Sequence, residues 1–183
     1  MNQSILTVTG HRPQKISRDL FEWDKPLSER YIDFFMKYIL NYVQETDSEV
    51  ICRSGMALGI DTLFAIAAIR LKKSGYLVKL ECCIPCIKQY SKWNPSAVDL
   101  YHKILAEADL VTYVSKEPYT AWCMNDRNEY MVDNGCNRVL AVWDGTKGGT
   151  GNCVQYAIKQ QVPIIVVTPI KQINQEFEMK KIQ

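Results

Sequence analysis

"EVICRSGMALGIDTLFAIAAIRLKKSGYLVKLECCIP", residues 49–85, changes its period twice. The run 49–55 is short, apolar and rich in strand formers. Residues 59–75 are rich in alanine, with apolar side chains at helical spacing, and close on Lys72, Lys73 and Gly75. Cations suit the negative end of a helix, and glycine suits the left-handed residue just past it. Residues 76–85 return to a strand pattern. The unit reads strand, helix, strand, and a helical crossover of this length joins parallel strands.

The same alternation extends in both directions. "SILTVTG" (4–10) predicts a first strand, followed by a polar, basic loop, "HRPQKISRD". A long helix is expected from near Ser28, where Ile32, Phe35, Met36, Ile39, Leu40 and Val43 make one apolar stripe. Asn94 and Pro95 suit the cap and first turn of another helix running through Leu100, Ile104 and Leu105. "DLVTYVS" (109–115), "RVLAVWDG" (138–145) and "QVPIIVVTP" (161–169) predict three more strands. A helix of about 14 residues ending at Gly135 and one further helix separate them. The expected fold is α/β: a single Rossmann-like domain over 1–183, with a doubly wound, mainly parallel six-stranded sheet and helices on both faces. The last dozen residues are polar and are expected to fray.

Composition narrows the function classes. The chain is 47% hydrophobic and 23% charged, and no apolar run approaches the roughly 20 residues a membrane-spanning helix needs. The N-terminus lacks the basic, apolar and small-residue sequence of a secretory signal, so the expected location is cytoplasmic. Seven cysteines, an odd number scattered through predicted elements, point to reduced thiols. A net charge of +2 gives no electrostatic footprint for nucleic acid, so nucleic acid is not an expected partner.

In open α/β sheets, ligands bind where strand ends lead into helix starts. Three segments fall there: "TGHRP", "RSGMALGID" and "WDGTKGGTGN". In the third, Gly148, Gly149 and Gly151 permit close backbone approach, Thr150 is placed to cap the next helix, and its free N–H groups suit a phosphate. A tight turn alone explains the glycines about as well. The spacing fits neither the dinucleotide fingerprint nor the P-loop. In the second segment Ser54, Gly55 and Gly59 surround a turn, and Asp61 either caps backbone donors or takes a ribose hydroxyl. In the first, Gly10 ends the strand, and His11 and Arg12 offer donors to an anion or remain a structural histidine and a solvated arginine.

Together with "IPCIKQYSKWN" and "RNEYMVDNGCNRVLAVWDGTKGGTGNCVQYA", these segments resemble the SLOG superfamily, which joins the DNA-processing protein A and lonely guy phosphoribohydrolase families. Within it the chain looks most like the small standalone group labelled DUF1273/UPF0398. The resemblance implies a nucleotide-like ligand (ribose phosphate, ADP-ribose or NAD-like) and assembly as a homodimer; no cofactor is expected. The phosphoribohydrolase branch carries Arg-x-x-x-Met before a Pro-Gly-Gly-x-Gly-Thr-x-x-Glu loop. Arg127 and Met131 match the first part and Gly149-Thr150 matches Gly-Thr, but the glutamate position falls at Cys153, and Asp144-Gly145 replaces the proline context.

A thiol does not stabilise an oxocarbenium-like transition state, so the resemblance implies the pocket more than the reaction. Asp61, Asp126, Glu129 and Asp144 are the carboxylates that could restore it alongside Arg127. The expected reading is a ligand-binding sensor, with phosphoribohydrolase activity the alternative and a protein-interaction or single-stranded DNA module a further one. Cys82, Cys83 and Cys86 lack the companion ligands a zinc site needs, so no metal is expected. Of the loop aromatics Trp93, Tyr119 and Trp122, only Trp122 lies near Arg127 in sequence, as a candidate to stack on a base.

Overall fold

The computed structural model describes residues 2–182. Seven strands, β1 (Gln3–Gly10), β2 (Glu49–Ser54), β3 (Val78–Ile84), β4 (Leu110–Tyr113), β5 (Cys136–Val142), β6 (Ile164–Val167) and β7 (Met179–Ile182), form one sheet in the order β4-β3-β2-β1-β5-β6-β7. All neighbouring pairs are parallel except β6 with β7, which run antiparallel from Ile164↔Ile182 to Val167↔Met179. The sheet therefore has one strand more than the sequence predicted. The tail expected to fray instead supplies an edge strand, with Lys180 and Lys181 discouraging further pairing there.

The helices are α1 (Pro13–Ile16), α2 (Pro26–Thr46), α3 (Ile60–Lys73), α4 (Pro95–Glu107), α5 (Cys123–Asp133) and α6 (Gly149–Lys159), with a 3-10 turn at Arg18–Phe21. The loop read from 11–19 thus contains a one-turn helix, and the long helix begins two residues before Ser28, with Pro26 in its first turn. Its buried stripe is rotated toward Tyr31, Ile32, Phe35 and Ile39, while Met36, Leu40 and Val43 are partly buried at its margin. Asn94 caps α4 as expected, its Oδ1 accepting from the Ala97 N–H at 2.8 Å.

Strand periodicity sorts the two faces. Leu6, Val8, Leu140 and Val142 pack with α2 and α3, whose Phe35 and Phe64 rings meet edge to face at 5.5 Å. The intervening Val139 and Ala141 pack with Val132 of α5 and with Cys153, Val154 and Ala157 of α6. Each fully buried large side chain contributes about 1.5–3 kcal/mol, so the two cores clamp the sheet between helical layers. From β1 the chain runs outward through β2, β3 and β4, then returns to the other side of β1 at β5. Order reverses between β1 and β5, and a crevice opens at the carboxyl ends of such strands.

Candidate functional site

At that crevice the His11 N–H donates to the Val142 carbonyl at 3.2 Å, joining the loops after β1 and β5. The loops and the starts of α1, α3, α5 and α6 enclose a cavity of about 360 Å³, near the lower end of the ~300–1,000 Å³ typical of small-molecule sites. Gly10, His11, Arg12, Asp61, Arg127, Gly148, Gly149 and Thr150 line it, together with Lys15, Ala57 and Asn128. All three predicted segments therefore meet.

The glycine-rich loop gives this cavity its floor. Gly148 precedes α6 with φ 142° and ψ −168°, a backbone that side-chain-bearing residues resist, and no side chain caps the helix. The N–H groups of the first turn thus keep their bonding capacity. Nothing lies within 4 Å of where a Gly149 Cβ would stand, leaving that turn open to approach. Thr150, expected as a cap, is instead the second residue of the helix. Gly151 serves the turn itself, since a Cβ there would stand 2.9 Å from the Thr146 carbonyl oxygen. Gly145 lies in the same turn outside the cavity lining.

Lys15 and Asn128 were not evident from the sequence. The Lys15 Nζ donates to Thr146 Oγ1 and to the Lys147 carbonyl, both at 3.1 Å, and so stands beside the glycine loop. Asn128 Nδ2 donates to the Gly149 carbonyl at 3.2 Å.

Arg127 is the buried cation of the cavity. Its Nη1 donates to the Gly55 carbonyl and its Nε to Asn128 Oδ1 at 3.1 Å. A Cβ on Gly55 would fall on the guanidinium, which explains glycine there without any ligand contact. Asp61 is also buried, and its Oδ2 accepts from the Ala57 N–H at 3.2 Å. Burial pushes its carboxyl above the ordinary range, opposed by the nearby Arg127 charge and the Ala57 bond.

Ser54 Oγ donates to the Asp61 carbonyl at 2.9 Å and accepts from the Met56 N–H at 3.1 Å. The donors of Met56 and Ala57 are thereby used internally, so this segment is a wall rather than a phosphate cradle. Gly59 sits against Pro13 and, with Ser54, Gly55 and Gly145, does not line the cavity.

A second buried pair, absent from the sequence reading, anchors the helix that carries Arg127. Arg53 Nε and Glu81 Oε2 lie 2.8 Å apart with both side chains 4% exposed. Arg53 Nη1 also donates to the Met131 and Asn134 carbonyls at 2.8 and 3.0 Å, meeting the partial negative charge at the end of α5. Thr112 Oγ1 donates to the other Glu81 oxygen at 3.1 Å.

His11 Nε2 lies 2.6 Å from Asp144 Oδ1, which also accepts from the Thr146 hydroxyl and N–H at 2.6 and 3.0 Å. The Thr146 hydroxyl, its N–H and His11 hold the Asp144 carboxyl well below the usual range. This carboxylate is committed to shaping the loop and does not line the cavity. Asp126 and Glu129 are exposed on α5 and also lie outside the lining. Of the four candidate catalytic carboxylates, the cavity holds only Asp61. Cys153 is fully buried against the sheet, and burial pushes its thiol up to about 12.

A wider lobe of about 520 Å³ adjoins the cavity, sharing Arg12, Gln14, Ala57 and Met124 with it. Trp93 and Tyr119 line this outer lobe, whereas Trp122, the aromatic favoured by its spacing, stands 63% exposed at the start of α5 and lines neither. Spacing along the chain misled here because Trp122 is the residue before the first turn of α5 and stands in solvent, outside both lobes.

Cys82, Cys83 and Cys86 are free thiols, and among the described residues no cluster of three or more His, Cys, Asp or Glu side chains could hold a metal. No helix there is long and apolar enough to cross a membrane.

A family model described as YpsA: YspA SLOG family matches residues 6–175. The chain is 28% identical over 170 residues to a UPF0398 protein of Bacillus pumilus, covering 90% of this chain and 87% of the relative. It is 28% identical over 183 residues to UPF0398 protein BH1768 of Halalkalibacterium halodurans, covering 96% and 94%. Among solved structures, the fold resembles DNA processing protein A of Helicobacter pylori, whose single-stranded DNA binding mode that structure concerns. Its TM-score is 0.60 at 16% identity, covering 94% of this chain and 67% of that one.

Proposed function

The chain belongs to the YspA SLOG family, and we propose that it binds a nucleotide or nucleotide derivative through a ribose phosphate, as a cytoplasmic sensor or regulatory module. The observation that carries this reading is the open first turn of α6 between Lys15 and Arg127, at the switch point of the sheet. Free N–H groups, the positive end of a helix and two cations together suit a phosphate. Arg12, exposed at the rim, adds further donors, whereas the His11 N–H and Nε2 are engaged with Val142 and Asp144. Such a grip requires no reaction. The fold likeness to a DNA-binding protein does not carry its ligand across.

One observation favours a second reading. Asp61 lies in the same cavity as Arg127 with its carboxyl raised, as a general acid for glycosidic cleavage would need. The experiment that separates the two is mass spectrometry of small molecules released from purified protein, followed by incubation of any nucleotide found with fresh protein. A nucleotide recovered and returned intact supports the sensor. Free base with ribose phosphate supports hydrolysis, which loss of product in Asp61→Asn would assign to that carboxyl, and a protein that yields and shifts with no nucleotide at all contradicts both.

A further inference from the structure

Two thiols meet where the outer lobe borders the start of α5. Cys86 follows β3 and lines that lobe, Cys123 is the first residue of α5, and the two side chains lie within hydrogen-bonding reach of one another. Both are free. None of the other cysteines has a second thiol as hydrogen-bond partner among the described residues.

Two sets of contacts bracket the pair and hold its two segments together. On one side the Ile87 N–H donates to the Glu117 carbonyl at 3.1 Å, tying the loop after β3 to the loop before α5. On the other, Gln89 Nε2 and Arg127 Nη1 both donate to the Gly55 carbonyl, so the same loop and the second turn of α5 converge on one oxygen. Cys86 stands three residues before Gln89, and Cys123 four before Arg127.

Both thiols are buried, but the cover over them is thin. Residues 116–119, 121 and 122, which lead into Cys123, are exposed, and the lobe beside Cys86 has a volume of about 520 Å³, ample for a water-sized molecule. A segment with so few buried contacts opens locally at low cost. Burial and the Cys123 thiol beside it push the Cys86 thiol up to about 11. Thiolate is therefore scarce at neutral pH, which suits slow oxidation rather than catalysis.

We propose that Cys86 and Cys123 form a reversible disulfide, with hydrogen peroxide as oxidant, that clamps the start of α5 to the loop after β3. One sulfur attacks the peroxide, breaks its O–O bond and becomes a sulfenic acid as one water leaves. The other sulfur displaces the sulfenic hydroxyl, which leaves as a second water, and the S–S bond forms. Two thiols and one peroxide thus give one disulfide and two waters, and a dithiol reductant returns both electrons and both protons. Because α5 carries Arg127 and Asn128 into the inner cavity, the rigidity of that wall follows the oxidation state of the pair.

The test exposes the whole reduced chain to hydrogen peroxide beside Cys86→Ala and Cys123→Ala. Mass spectrometry is expected to show the loss of two hydrogens, a cross-linked peptide pair carrying residues 86 and 123, and reversal by dithiothreitol. With two of the seven cysteines bonded, the other five should alkylate after denaturation. Closing a loop of roughly 40 residues should raise Tm by about 4–16 °C. Amide hydrogen exchange over 120–127 should slow. Both alanine variants, which cannot make the bond, should show neither change on peroxide treatment.

A folded chain whose Cys86 and Cys123 gain oxygen without cross-linking, or stay reduced under conditions that oxidise the urea-unfolded chain, overturns the proposal. So does a cross-link that joins other cysteines, or a bond between these two that leaves Tm and exchange unchanged.

Discussion

Gly55→Ala isolates the contact between the central wall and Arg127. The Gly55 φ is not positive, so alanine fits the backbone, but its Cβ would fall on the Arg127 guanidinium. The arginine must therefore withdraw from the Gly55 carbonyl, losing a charge-assisted bond worth about 1.5–3 kcal/mol. For a chain of this length that lowers Tm by about 3–12 °C.

In an Arg127→Ala background the obstruction is gone, and the same substitution should be neutral or stabilising by up to about 1 kcal/mol, because alanine restricts the unfolded chain. The difference between the two backgrounds amounts to a coupling energy of about 1.5–4 kcal/mol, measurable by urea unfolding of the four proteins in a double-mutant cycle. Strictly additive effects would refute the packing of Arg127 against Gly55, and with it the position of this cation in the cavity.

Three further outcomes follow from the same contacts. Glu81→Gln leaves the Arg53 charge buried without its counterion and should cost about 3–5 kcal/mol in urea unfolding, more than Arg53→Met combined with Glu81→Leu. Asp61 has a raised carboxyl pKa in the fold, so its folded form holds a proton that the unfolded chain has released. Its contribution therefore destabilises progressively as pH climbs from the ordinary carboxylate pKa to the raised one, and Asp61→Asn should flatten that part of the stability–pH curve. Lys15→Ala, at an exposed position, should weaken ribose 5-phosphate binding several-fold in calorimetry with little change in Tm.

Much of the architecture was legible because period and punctuation agreed. Asn94-Pro95 opened a helix where expected, and Gly75 closed one. β7 was not legible: Met179–Ile182 is charged and four residues long, and it is a strand only because β6 offers an edge. The site followed the same division. Glycines and a helix start announce themselves locally, so Gly148–Thr150 and Arg127 could be named from the sequence, and the fold brings them to one cavity. Lys15 and Asn128 look like ordinary polar residues until the fold brings 9–15, 57–61, 124–128 and 148–150 to one cavity. The Arg53–Glu81 pair spans two strands and becomes a pair only through their parallel register, which sets Arg53 beside Glu81. Ser54, Gly55 and Gly59, read from the sequence as ligand-binding candidates, stand behind the cavity lining, where Gly55 meets Arg127 and Gly59 meets Pro13.

Amide chemical-shift mapping of the labelled protein during titration with ribose 5-phosphate tests the central claim most directly. The largest shifts are expected on Gly149, Thr150 and Gly151, with smaller ones at His11, Arg12 and Asn128. Shifts confined to another surface, or none at millimolar probe, would contradict it.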